Sequence, residues 1–239
     1  MKSSSFPDVK LRRDESIDEF MDGRLRLIQS KRGYRFSVDA ILLSEFVSTK
    51  PGDLVVDLGT GCGIISLVLL LTRSIGYAIG LELQADLADQ ARRNAILNGF
   101  DHKIGVIQGD IRCPPLAPLI ADVVVCNPPY RQERSGRINP DSQRAIARHE
   151  IMASLDDLLG AGRRLLKERG RLAMIYPANR LVDALVRMRS FELEPKRIRM
   201  IYPAMTAGAK LVLIEASRGG RGGLKIEPPL LDQGDLSIT

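Results

Sequence analysis

The residues best equipped for chemistry close a short apolar run in ADVVVCNPPY, residues 121–130. Val123 to Cys126 reads as a strand buried on both faces, and Asn127, Pro128, Pro129 and Tyr130 end it. The side-chain oxygen of Asn127 and the carbonyl of Pro128 are two acceptors, enough for both hydrogens of a planar amino group. Such an amine is a poor nucleophile because its lone pair is delocalised. Drawing both hydrogens out of the plane favours a pyramidal nitrogen with its lone pair exposed. The prolines fix φ and remove competing N–H donors, and Tyr130 offers a flat face on which a base can stack. Catalysis of this kind is positioning plus electrostatics and needs no strong base. Taken alone, the same four residues also fit a plain strand-terminating turn.

Three other strand ends carry distinctive residues. In DLGTGCG, Asp57 to Gly63, the glycines Gly59, Gly61 and Gly63 let the backbone turn sharply and approach a ligand. A dinucleotide-phosphate loop would want glycine at position 64, where the chain has Ile64. Glu82 follows Gly63 by nineteen residues, a placement suited to accepting hydrogen bonds from ribose hydroxyls. Asp110, in QGD, can accept from an adenine amino group. Singly, these fit a Gly-rich turn, a helix N-terminal acid and an Asx turn. Jointly they describe one nucleoside with partners for its sugar and its base.

Composition removes other chemistries. The chain has 239 residues, 44% of them hydrophobic, which suits one sizeable core. Its cysteines, Cys62, Cys113 and Cys126, are isolated and odd in number, which argues against a disulfide framework. With only His102 and His149 and no paired cysteines, no metal site is expected. The apolar run Ile64 to Leu71 is too short for a bilayer, and the first residues lack a signal-peptide core. A cytoplasmic protein without a membrane partner is therefore expected. Residues 1–119 carry 15 Lys+Arg and 15 Asp+Glu, residues 120–239 carry 20 and 14. The whole net charge of +6 thus lies in the second half, where Arg131, Arg134, Arg137, Arg144 and Arg148 follow the motif directly against Glu133, Asp141 and Glu150. That asymmetry permits a polyanionic partner, although a solvated loop and helix face would read the same way.

The elements that must position these groups alternate. Residues 53–59, 76–83, 104–110, 121–127, 171–177 and 210–216 read as short apolar strands. Residues 64–71, 85–99, 151–168 and 179–190 have helical patterns. Strand–helix alternation implies right-handed crossovers and a mostly parallel sheet covered on both faces. The fold class is α/β, Rossmann-like and doubly wound. Ligands of such sheets bind at the carboxyl ends of the strands.

The ordered set Asp57–Gly63, Glu82, Asp110 and NPPY resembles the class I methyltransferases that use S-adenosylmethionine (SAM). The resemblance covers roughly residues 30 to 217 and implies a seven-stranded sheet. It also implies a domain at residues 31–217 between an N-terminal extension, 1–30, and a C-terminal tail, 218–239. It assigns Asp57, Gly59, Gly61, Gly63, Glu82, Asp110 and Ile111 to the cofactor. Asn127 stands at the border with the acceptor, and Asn127 to Tyr130 form the catalytic tip.

GYRFSVDAILLSEF (33–46), ARHE (147–150) and the tail LVLIEASRGGRGGLKIEPPL (211–230) are similar to bacterial tRNA1(Val) (adenine(37)-N6)-methyltransferases. That similarity implies a tRNA partner rather than DNA, conversion of SAM to S-adenosylhomocysteine (SAH), and a monomer or weak homodimer. It puts Phe36 and Asp39 at the cofactor end of the pocket, where the first turn of a packing helix is the plainer reading. Tyr130, Arg131, Arg134 and Arg137 would meet the RNA. RGGRGGLK (218–225) fits an RNA-touching segment or a simple hairpin. The rivals are a release-factor glutamine methyltransferase, which shares NPPY, and a non-catalytic SAM- or nucleotide-binding module. The first usually carries a long helical domain that about 35 preceding residues cannot supply. Intact Asn127–Tyr130 argues against the second.

Overall fold

The computed structural model describes residues 9–31, 38–128 and 153–231. It begins with an antiparallel hairpin, β1 (Glu15–Phe20) and β2 (Leu25–Ser30), which the sequence reading did not assign. Alternation is plain in β1, but β2 buries Leu25, Leu27 and Ile28 completely. Those residues serve a core completed by distant segments, which a local pattern cannot announce.

Helix α1 (Val38–Phe46) leads into β3 (Leu54–Leu58), and α2 (Ile64–Thr72) follows at once. β4 (Tyr77–Glu82), α3 (Ala85–Leu97), β5 (Ile104–Gln108) and β6 (Ala121–Cys126) continue the alternation. α4 (Leu155–Leu165) starts at a capping box, in which the Ser154 hydroxyl accepts from Asp157 N–H at 3.2 Å and the Asp157 carboxylate accepts from Ser154 N–H at 2.8 Å. β7 (Leu166–Pro177), α5 (Leu181–Ser190), β8 (Leu193–Tyr202) and β9 (Leu211–Arg218) complete the main body. The helical pattern expected over 151–168 therefore gives way to strand at Leu166, whose backbone is already extended.

The sheet runs β8–β9–β7–β6–β3–β4–β5 through its seven long strands. Neighbours are parallel except that β9 runs antiparallel to β7 and β8. Two-residue strands from the tail, β10 (Lys225–Ile226) and β11 (Leu230–Leu231), pair with the outer edge of β8. β8 was not among the expected strands, because LEPKRIRMIY alternates charge with apolar residues and lacks a continuous run. That alternation suits a strand near the sheet edge.

Central strands face two cores. Val55 packs with α1, α2, Ala95 of α3 and the hairpin, whereas Val56 packs with α4 and α5. Being buried on both faces is why β3 and β6 read as unbroken apolar runs. No described helix is long and apolar enough to cross a membrane.

Candidate active site

Leu58 is in register with Leu81 on one side and with Cys126 on the other, and Glu82 is in register with Gln108. Gly59, Glu82, Asp110 and Asn127 therefore leave four adjacent strands at one edge of the sheet. Neighbouring strands in a sheet lie about 4.8 Å apart. The chain moves outward from β3 through β4 to β5 and then returns to the opposite flank as β6. The crevice between β3 and β6 is the switch point where such sheets bind ligands.

The turn between β3 and α2 is pinned from several directions. Gly59 and Thr60 N–H groups both donate to the Leu81 carbonyl, at 2.8 and 3.1 Å. Gly61 N–H donates to Glu82 Oε2 at 2.9 Å. Gly63 has φ of 87°, and a Cβ there would lie 3.3 Å from the Ala91 methyl of α3. Glycine at this position meets both a backbone demand and a packing demand.

Two carboxylates sit beneath the turn. Asp57 is fully buried and its Oδ2 accepts from Thr60 Oγ1 at 2.7 Å and from Ser66 Oγ at 3.1 Å. Burial, with the nearby Glu82 charge adding to it, pushes the Asp57 carboxyl up to about 6 against the pull of those two hydroxyls. Asp57 Oδ1 is buried with no partner among the described residues. Glu82 is 6% exposed, and its Oε1 accepts from Gln84 N–H at 2.9 Å. Each Glu82 oxygen holds one backbone N–H and keeps capacity for a further donor.

Asp110 follows β5 and is bound by Arg112, with Nη2 at 2.5 Å from Oδ2 and Nε at 2.9 Å. The guanidinium holds the Asp110 carboxyl below its usual range. Ile111 stands opposite the turn, its Cδ1 3.9 Å from where a Gly59 Cβ would be. An orphaned buried acceptor and a half-committed carboxylate suit a ligand carrying hydroxyls and a cationic amine, which is what the SAM expectation requires.

Asn127 and Pro128 follow β6 directly and are half-buried. Asp39 is half-buried in the first turn of α1. Phe36, Pro129, Tyr130, Arg131, Arg134 and Arg137 lie outside the described residues. Thr60 and Ser66, whose hydroxyls hold Asp57, and Arg112 were not among the expected site residues. The available signals were a Thr inside the turn, a Ser nine residues after Asp57 and an Arg two after Asp110. Burial pushes the Cys62 thiol up to about 12 and raises that of Cys126, so neither is a nucleophile at neutral pH. Among the described residues, no group of three His, Cys, Asp or Glu side chains could hold a metal ion.

Residues 49–215 match the family model described as a methyltransferase domain. A tRNA1(Val) (adenine(37)-N6)-methyltransferase of Porphyromonas gingivalis is 31% identical, covering 83% of this chain and 80% of that relative. The proteins of the same description from Parabacteroides distasonis and Aeromonas hydrophila are 31% and 30% identical, over 78% and 77% of each chain. Among solved structures, one described as a predicted O-methyltransferase of Agrobacterium tumefaciens superposes with a TM-score of 0.67 at 21% identity, over 84% of this chain and 91% of that one. At that identity it speaks for the fold alone.

Proposed function

This chain belongs to the tRNA1(Val) (adenine(37)-N6)-methyltransferase family, and on that premise we propose that its strand-end site methylates N6 of adenine 37 in tRNA. SAM, when bound, supplies an electrophilic methyl group and leaves as SAH. The observation that carries the reading is the register that sets Asn127, the Gly59–Gly63 turn and Glu82 side by side on β6, β3 and β4.

In this reading Glu82 accepts the ribose hydroxyls, and the buried Asp57 supplies negative charge beneath the turn for the amino-acid end of the donor. Asp110, oriented by Arg112, and Ile111 border the adenine. Asn127 and the Pro128 carbonyl each accept one hydrogen of the target N6 amine. That removes conjugation from the nitrogen and aims its lone pair across the crevice. The proton is lost after transfer, when the methylated nitrogen is strongly acidic, so no general base is needed. A tRNA substrate puts its work in the cytoplasm.

The test is incubation with tritium-labelled SAM and either total tRNA or release factor, followed by nucleoside and amino-acid analysis. N6-methyladenosine in tRNA is the expected product. Label recovered as methylglutamine in protein would replace this reading with the rival one.

A further inference from the structure

Between the strand-end site and the N-terminal hairpin stands a fully buried side chain, Asn94 of α3, that no chemical step uses. Its Oδ1 accepts from Ile28 N–H at 2.7 Å, and its Nδ2 donates to the Ile28 carbonyl at 3.2 Å and to the Cys62 carbonyl at 2.9 Å. One turn later, Asn98 Oδ1 accepts from Arg26 N–H at 2.9 Å and its Nδ2 donates to the Arg26 carbonyl at 2.7 Å. The spacing explains the match. Residues four apart on a helix advance by about 6 Å, and residues two apart on a strand by roughly 6.7 Å. The two amides thus offer the outer edge of β2 the donors and acceptors that a further strand would.

Only the first amide reaches the turn. Cys62 lies between Gly61, whose N–H is held by Glu82, and Gly63, which rests on Ala91. Ala91 and Asn94 share one face of α3, three residues apart. An ion pair presses the hairpin onto the same helix: Arg93, steadied within α3 by Asp89 at 2.8 Å, reaches Glu15 of β1 at 2.6 Å. The Arg93 and Glu15 side chains are only 14% and 5% exposed.

We propose that Asn94 is a positioning residue for the methyl-donor site, tying the Cys62 carbonyl, and with it the Gly59–Gly63 turn, to the β1–β2 hairpin. The seating of the hairpin then sets donor affinity. This rests on the reading of that turn as the donor cradle. A merely structural amide would also be buried and satisfied; the shared Cys62 carbonyl is what distinguishes Asn94 from Asn98.

The experiment compares Asn94→Asp, Asn94→Ser and Asn98→Ala with the wild type in the full chain. Asn94→Asp keeps the shape and the acceptor for Ile28 but sets a carboxylate against two carbonyls. Asn98→Ala removes the rung that does not touch the turn. SAH affinity is measured by calorimetry, with KM for SAM, kcat on tRNA and melting temperature alongside. The Asn94 variants should weaken SAH and raise KM for SAM by about tenfold or more, as expected when a buried carbonyl loses its donor. Their kcat at saturating SAM should stay within about twofold, the pattern of lost ground-state binding. Asn98→Ala should lower the melting temperature and leave SAH affinity unchanged. Normal SAH affinity in folded Asn94 variants, or an equal loss in Asn98→Ala, overturns the proposal. Should both Asn94 variants fail to fold, amide hydrogen exchange of the wild type decides: SAH must slow exchange at Ile28, and unchanged exchange there overturns it. A wild type that does not bind SAH sinks the donor-site reading as well.

Discussion

At the scale of single residues, Asn127 and Asp57 carry opposite assignments. If Asn127 accepts from the target amine, Asn127→Ala should lower single-turnover rates by about a hundredfold, the order expected for a lost transition-state hydrogen bond. SAH affinity measured on the same variant should change little; a near-normal rate would reassign the amine's partner. Asp57 is assigned to the donor in the proposed site, and its burial as a carboxylate opposes the fold. Its folded-state value, about 6, is raised above the ordinary carboxylate value of 3.8 by burial. The stability linked to its protonated form is fully present below the unfolded value and is lost as pH rises through about 6. Asp57→Asn should therefore be more stable than wild type at pH 8, by at most about 3 kcal/mol, a gap that narrows below pH 6 and closes near the unfolded value of 3.8. Wild-type affinity for SAM should fall as pH drops through about 6, because the cationic donor loses its buried counter-charge. A variant that melts lower at pH 8 and binds SAM with unchanged pH dependence would remove Asp57 from the donor site.

At the scale of elements, the turn works because its neighbours leave room for it. A Cβ on Gly80 of β4 would lie 2.7 Å from Thr60 Cγ2, so the strand must be bare where the turn folds over it. Gly80→Ala should destabilise the protein by about 1–3 kcal/mol through overpacking and weaken SAM, because Thr60 also holds Asp57. Gly208, with nothing within 4 Å of its Cβ position, is the control and should melt as wild type when changed to Ala. Equal melting temperatures for the two variants would show that Thr60 yields freely. Glu82→Ala should weaken SAM by roughly 1.5–3 kcal/mol, the loss of charged hydrogen bonds. Gly61 and Gln84 N–H groups lose their acceptor at the same time. An unchanged dissociation constant would move the ribose partner elsewhere.

At the scale of the whole molecule, charge is divided along the chain. The second half carries the entire +6, and five arginines, Arg131, Arg134, Arg137, Arg144 and Arg148, follow NPPY. If Arg131, Arg134 and Arg137 meet phosphates, replacing all three by Ala should weaken tRNA binding. It should also flatten the dependence of affinity on salt, by roughly 0.7–0.9 in log–log slope for each phosphate no longer neutralised. Titrations at several salt concentrations measure this directly. Equal slopes would make the cluster a solvated surface and put the RNA on other residues.

Much of the fold was legible because its strands are local objects. Residues 53–59 and 121–127 are buried on both faces, and a strand in that setting is written as a continuous apolar run whatever surrounds it. Glycines beside an acid, and prolines after an asparagine, likewise encode backbone demands that only those residue types meet. The sequence by itself therefore determined the α/β class, the order of β3 to β7 and β9 among their helices, and which strand ends carry distinctive residues. Register decided the rest. Only pairing brings Asp57, Glu82 and Asn127, spread over 70 residues, to one edge. Only packing turns Asn94, a polar residue in a helical pattern, into the link between hairpin and turn. β8 and the hairpin stayed hidden for the same reason: their buried faces are completed by residues far away in the chain. Hydrogen bonds and burial across long sequence separations are properties of the folded arrangement, and no local pattern of residue types contains them.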